Sequence, residues 1–269
     1  MKKQMQVGLV VEGNITSSGI LRLPCLAEEL GPIKSVTLQV ARRVSNFIRA
    51  GYAVSEYQEL SGAPMILLHA PDGEMPRVVA ELCESGLKLS EMSFVLCESW
   101  LATETLIPLR QLGAQIASLV TVGPPGHNCF AVEGDLAAIR RIKRLLSQCD
   151  SRVIELRPGS KPLYFAADVL AGAITIPLFQ LAQQMLRDCG VSGNDLALVS
   201  HEWLDQLQTR VKKGGRGTWG GPLSECSEGT AEGHFGRLAV EHAELAATVQ
   251  DWLGLARRQM TKRAKGQGA

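Results

Sequence analysis

The chain of 269 residues has no surplus of charge, with 28 Lys and Arg against 27 Asp and Glu. A net charge of +1 gives neither nucleic acid nor an anionic membrane a reason to bind, and neither is expected as a partner. The seven cysteines (25, 83, 97, 129, 149, 189 and 226) are odd in number and include no C-x-x-C pair. This argues against zinc and against a secretory disulfide framework, and fits a reducing cytoplasm. His127, His201 and His242 have no metal-ligand spacing, so no metal site is expected. Long apolar runs are scarce as well. The one at the N-terminus is too short for a signal peptide. The most apolar region, Val169 to Leu186, is interrupted by Pro177 and several glutamines and reads as a buried helix, not a bilayer span. No internal repeat is present.

What is there is ordinary for a globular protein: 45% apolar and 20% charged residues, in a chain long enough for one large domain or two smaller ones. The most informative stretch is Val7 to Gly19, VGLVVEGNITSSG. A short apolar strand ending in Glu12-Gly13, with a helix-compatible stretch after it, is how a dinucleotide-binding βαβ unit begins. The fingerprint G-x-G-x-x-G would fall at positions 11, 13 and 16, where the chain has Val11, Gly13 and Thr16. Gly13 lets backbone approach a pyrophosphate, or is a plain strand-to-helix turn. Asn14, Ile15 and Thr16 follow at the phosphate position, with Asn14, Thr16 and Ser17 offering polar donors. The helix expected over Thr16 to Leu30 contains Pro24, so it either starts late, near Leu23, or is kinked.

Further strands are expected over Ser35 to Val40, Ala53 to Tyr57, Met65 to His69, Ser93 to Cys97, Ile116 to Val120, Cys129 to Val132 and Arg152 to Leu156. Helices fall between them, including an amphipathic one from Asp135 to Ser147. This alternation predicts a Rossmann-like, doubly wound, mostly parallel α/β sheet over residues 1–156. Residues 157–269 change to a helical period and predict an all-α domain: Leu163 to Cys189, Asp195 to Lys212 and His234 to Met260, with a glycine-rich loop before the last and a frayed tail from Lys262.

Arg42 and Arg43, placed just after the second strand, are candidates to pair with a 2′-phosphate, and no acidic residue stands there to accept from a ribose hydroxyl. A bound dinucleotide would therefore be NADP in preference to NAD. The alternative is a solvated basic helix start. His69, Ala70 and Pro71 end the Met65 strand at the sheet's carboxyl edge, where such folds bind ligands, although a satisfied core-edge histidine is the commoner case. Asp72 suits a helix cap. Glu98 is a carboxylate at another strand end, and Cys97 has no predictable base beside it.

Several stretches carry a family resemblance: VGLVVEG, LLHAPD, Lys161 to Ala167 (KPLYFAA), and Gly221-Pro222-Leu223 followed by Thr230 and His234. Together they resemble a family of oxidoreductases that join a Rossmann-like domain to a helical domain of unknown function. That family is related to pyrroline-5-carboxylate reductase, the deazaflavin-dependent NADP reductases, and the 6-phosphogluconate and 3-hydroxyisobutyrate dehydrogenases. The resemblance implies a helical domain like the C-terminal one of 6-phosphogluconate dehydrogenase. It also places Lys161 where the hydroxyacid dehydrogenase relatives carry a lysine general acid, with Tyr164 as the nearest other donor. The asparagine those enzymes set four residues on is Phe165 here, and Cys97-Glu98-Ser99-Trp100 replaces the relatives' H-T-S-G.

Two functions follow. One is an NADP-dependent oxidoreductase acting on a small carbonyl or imine in a cleft between the domains, with Lys161 or Tyr164 as proton donor. The other is a catalytically silent relative that binds a nucleotide or a protein. The long apolar helices also predict a homodimer through the helical domain.

Overall fold

The structure is a computed structural model and describes residues 6–15, 18–123, 128–212 and 228–266. Thr16, Ser17, His127 and the glycine-rich loop with Gly221, Pro222 and Leu223 lie outside them. The chain divides into two compact units, Met1–Pro177 and Leu178–Ala269.

The first unit is built on an eight-stranded sheet. Its strands are β1 (Val7–Val11), β2 (Leu30–Lys34), β3 (Tyr52–Val54), β4 (Met65–His69), β5 (Ser93–Cys97), β6 (Gln115–Thr121), β7 (Cys129–Gly134) and β8 (Arg152–Glu155), in the order β3-β2-β1-β4-β5-β6-β7-β8. Every pairing is parallel except β6 with β7. Side chains alternate along the strands, so the central strands β1, β4, β5 and β6 feed two cores. Leu9, Val11, Met65, Leu67 and Val95 face one, closed by α1 (Pro24–Glu29), α2 (Leu38–Ile48) and α5 (Leu136–Leu146). Val10, Ile66, Leu68, Phe94 and Leu96 face the other, under α3 (Met75–Glu84) and α4 (Ile107–Gln111). The order reverses beside β1, where β2 lies on one side and β4 on the other, and this is the switch point at which such sheets bind ligands.

One local expectation changes and one open alternative is decided. The second strand is Leu30–Lys34, not Ser35 to Val40. Thr37 is extended and its hydroxyl accepts from the Val40 N–H, which makes it the N-cap of α2 and starts a helix where the alternation suggested a strand. After β1 the helix starts late, as Pro24 allows: a 3₁₀ turn over Ile20–Arg22, then α1 with Pro24 in its first turn, where a missing N–H costs nothing.

The cysteine expectation is overturned at one place. Cys25 of α1 and Cys149, just beyond α5, are paired as a disulfide with Cα atoms 5.7 Å apart and a separation of 124 in sequence. Spacing along the chain carries no sign of this, because the pair is made by α1 packing against the end of α5.

The helix that begins at Lys161 also departs from expectation. It is α6 (Lys161–Val169), a π-turn over Leu170–Ile174 and α7 (Thr175–Asp188), together 28 residues, long and apolar enough by length and composition to cross a membrane. Pro177 does not end it. A proline ring clashes with the carbonyl four residues earlier, and the widened π-turn just before Pro177 relieves that contact. None of the apolar window is buried, so the expected buried helix is an exposed one.

In the second unit, α8 (Gly193–Lys212) packs with the end of α7: Phe179 meets Trp203 edge-on at 6.4 Å, and Gln183 donates to Ser200 Oγ at 2.9 Å. In place of one closing helix there are two, α9 (Glu228–Glu241) and α10 (Ala243–Gly266), interrupted at His242. Thr230 and His234 lie on α9, and α10 runs on to Gly266, into the segment expected to fray, whose residues 267–269 lie outside the described ones.

Candidate active site at the carboxyl edge of the sheet

The carboxyl ends of β1, β4, β5 and β6 converge on one edge of the sheet. At the end of β1 the Glu12 N–H donates to the His69 carbonyl at 2.8 Å, and Gly13 turns the chain with φ +74°. A Cβ on Gly13 would sit 3.0 Å from Pro71 Cγ, so both the left-handed backbone angle and the contact favour glycine. Asn14 is exposed, and its carbonyl lies 3.2 Å from His69 Nε2; His69 Nδ1 lies 3.3 Å from the Cys97 carbonyl. The His69 ring therefore bridges the β1 turn to β5. Ile15 is buried in the core. Ala70 packs against the opposite core, and the Pro71 carbonyl accepts from the Glu74 and Met75 N–H groups at the start of α3.

The β2 side of the switch point carries a cluster of linked charges. Glu12 is buried and pairs with Arg77 at 2.5 Å; Arg77 also holds Glu74 and Glu81. Tyr57 donates to Glu81 at 2.8 Å, and burial next to that carboxylate raises its phenol pKa strongly. Lys34, the last residue of β2, lies over the Tyr57 ring at 4.9 Å and donates to the Ser35 carbonyl at 2.6 Å. Arg42 and Arg43 are exposed in the second turn of α2, further along than Lys34. A strand expected from Ser35 leaves Lys34 in a connection, whereas the strand that forms ends on it.

Past β5, Ser99 donates to Asp72 at 2.7 Å and accepts from the Leu101 N–H at 3.1 Å. Trp100 stacks on Tyr164, with ring centroids 6.2 Å apart, and meets Phe165 edge-on at 5.3 Å. Lys161, 2% exposed, donates from Nζ to the Leu101 carbonyl at 2.5 Å. Burial lowers its pKa to about 8, against the opposing pull of Glu133, Asp72 and Glu104. Glu133 is itself buried on β7 and accepts from the Gly159 N–H just before α6. The structure thus brings Lys161, Tyr164, Asp72, Ser99 and Trp100 together at one end of the sheet. Tyr164 carries a pKa raised first by burial, which makes it the poorer proton donor of the two. Cys97 is fully buried and its pKa is raised well above the usual thiol value, so it is no nucleophile. Among the described residues no three His, Cys, Asp or Glu side chains are grouped to hold a metal ion.

Residues 128–250 match a family described as a domain of unknown function, DUF2520. The sequence matches no curated protein. Solved structures match over nearly the whole chain. A Bacteroides fragilis protein provisionally named an NADP oxidoreductase aligns with a TM-score of 0.73 at 12% identity, covering 97% of this chain and 98% of its own. An imine reductase from Aspergillus terreus, solved with NADPH4 and a dibenzazepine, aligns at 0.65 and 14% identity, covering 99% and 95%. An imine reductase from Myxococcus stipitatus in complex with NAD+ aligns at 0.64 and 12%, covering 96% and 95%. The fold is that of the Rossmann-type oxidoreductases.

The two imine reductases were solved with nicotinamide dinucleotides, and the residues present here fit such a group at Gly13 and Lys34 but not at Gly19 and Ile20. Gly13 has the turn conformation and close packing that let backbone meet a pyrophosphate. The Gly19 and Ile20 N–H groups, in the connection that follows β1, already hold an anion, the Glu98 carboxylate, at 3.1 and 3.2 Å. Lys34 ends β2, where a 2′-phosphate would lie.

Proposed function

We propose that this protein is an NADP-dependent reductase of a small carbonyl or imine compound, with Lys161 as the proton donor. The observation that carries this reading is Lys161 itself, a buried ammonium at the sheet's carboxyl edge whose pKa of about 8 makes it a ready donor near neutral pH. When bound, the cofactor supplies a hydride to the substrate carbon. The chain's residues do the rest. Lys161 gives its proton to the carbonyl oxygen or imine nitrogen, which replaces the Leu101 carbonyl as the acceptor at Nζ. Glu133, Asp72 and Glu104 favour the charged amine, which regains its proton from water. Asp72 holds Ser99, and Ser99 fixes the turn into Leu101, which positions the carbonyl that Lys161 uses at rest. Trp100, Tyr164 and Phe165 provide an apolar wall suited to a small organic substrate. Gly13, Asn14, His69, Ala70 and Pro71, with the backbone of Ile15, would line the cofactor turn; Thr16, expected beside them, lies outside the described residues. Lys34, with Arg42 and Arg43 further along α2, favours the phosphorylated dinucleotide.

The test is a thermal-shift titration of the whole chain with NADP(H) and NAD(H), since a ligand that binds only the folded state raises its melting temperature. A larger rise with NADPH, lost in Lys34→Glu or Arg42→Glu, is the expected result. No response to either dinucleotide at millimolar concentration leaves the second reading, a catalytically silent relative that binds another ligand. That reading is favoured by the buried Glu12 carboxylate beside the turn.

We also propose a homodimer. Leu163 and Ile176 of the Lys161–Asp188 helix and Leu198 and Val211 of α8 are all more than half exposed, and a second copy would cover such apolar faces.

A further inference from the structure

Glu98 is the residue just past β5, and its backbone is left-handed at φ +57°, a conformation that side chains with a Cβ rarely adopt. The carboxylate that this turn aims accepts four hydrogen bonds. Oε1 takes the Gly19 N–H at 3.1 Å, the Ile20 N–H at 3.2 Å and the Thr121 hydroxyl at 2.6 Å; Oε2 takes the Thr121 N–H at 3.3 Å. Gly19 is what lets the group come so close, because a Cβ there would stand 2.8 Å from Thr121 Oγ1 and 3.5 Å from Glu98 Oε1. Three elements therefore build one cage for an anion: the connection after β1, the end of β5 and the end of β6.

The donors in this cage are notable for where they come from. In a dinucleotide-binding sheet the backbone N–H groups of the β1-to-α1 connection are those that meet phosphate. Here α1 begins at Pro24, which has no N–H, and among the described residues of that connection Gly19 and Ile20, at the start of the 3₁₀ turn, donate to an anionic group. Both point at a carboxylate that the chain itself provides. Two oxygens on one centre, each with lone pairs facing N–H and O–H donors, reproduce what a phosphate would offer. A diphosphate arriving at the same edge meets occupied donors and a like charge, and both weaken its binding.

We propose that Glu98 is a built-in occupant of the anion cage and sets the affinity of this site for a phosphate-bearing cofactor. The site takes the dinucleotide only when the carboxylate leaves the Gly19 and Ile20 N–H groups. This rests on the reading of the protein as an NADP-dependent reductase. Glu98 acts here as a specificity residue: it touches the donors that a phosphate would use and takes no part in proton transfer.

The experiment is calorimetric titration of the whole chain and two variants, in phosphate-free buffer, with NADPH, NADH and inorganic pyrophosphate as separate probes. Glu98→Gln keeps the shape and removes the charge. Glu98→Gly removes the carboxylate and suits the left-handed backbone, so loss of the hydrogen bonds is offset by relief of strain. Both variants are expected to bind NADPH and pyrophosphate at least tenfold more tightly than the unaltered chain. Equal NADPH affinity in all three proteins overturns the inference and leaves the reductase reading standing. Tighter pyrophosphate binding in the variants with no dinucleotide binding in any form sinks the reductase reading and supports the role of Glu98. If neither probe gains affinity, Glu98 is a structural cap and the proposal is wrong.

Discussion

Lys161 and the Leu101 carbonyl, sixty positions apart in sequence, meet at 2.5 Å in a place closed to solvent. With a folded pKa of about 8 against an ordinary value of 10.5, the amine is harder to charge in the folded chain than in the unfolded one. Between pH 8 and 10.5 the unfolded state therefore holds more protons, and stability rises with pH through that window. Below pH 8 the cost of burying the charge is present in full, roughly 3 kcal/mol. Urea denaturation of the unaltered chain is expected to show stability climbing from pH 8 to 10, and Lys161→Met to remove the climb. An unchanged slope in the variant would mean that Lys161 does not titrate in the buried position.

Gly13 is expected to resist substitution for two reasons that add, the left-handed φ and the contact with Pro71. Gly13→Ala should destabilise the chain by about 1–2 kcal/mol, read as a shift in urea midpoint. It should also weaken NADPH binding in the titration above. A neutral outcome for both would show that the turn tolerates a Cβ and that its glycine is incidental.

Cys25 and Cys149 offer a direct chemical check. Non-reducing peptide mapping of the oxidised protein should recover their two peptides linked, with Cys83, Cys97, Cys129 and Cys189 free for alkylation after unfolding. Closing a loop of 124 positions restricts the unfolded chain, so reduction should cost a few kcal/mol of stability. Recovery of both cysteines as free thiols after oxidation would contradict the pairing.

Light scattering tests the dimer. The expected mass is twice that of one chain, and Ile176→Glu, at a position 59% exposed within a single copy, should return it to one. Because the side chain is exposed, folding stability of the monomer should change by less than about 0.5 kcal/mol. A single-chain mass for the unaltered protein, with the Lys161–Asp188 helix partitioning into detergent micelles, would point to a bilayer as what covers that face.

The amino-acid sequence by itself determined the order of elements. Met65 to His69 and Ser93 to Cys97 are apolar runs only five residues long, too short for a helix and of the length of a buried parallel strand, so their bounds could be read without a fold. Pro24 announced the late start of α1 for an equally local reason, the missing N–H. The second strand failed because alternation from Ser35 to Val40 competes with the capping hydroxyl of Thr37, and the cap won. Only the tertiary structure decided the site. Glu98 meets Gly19 across 79 positions, Cys25 meets Cys149 across 124, and Lys161 meets Leu101 across 60. No periodicity encodes such distances. They arise because parallel strands bring residues from distant parts of the chain to one edge of the sheet, where hydrogen bonding, not sequence spacing, sorts out which groups pair.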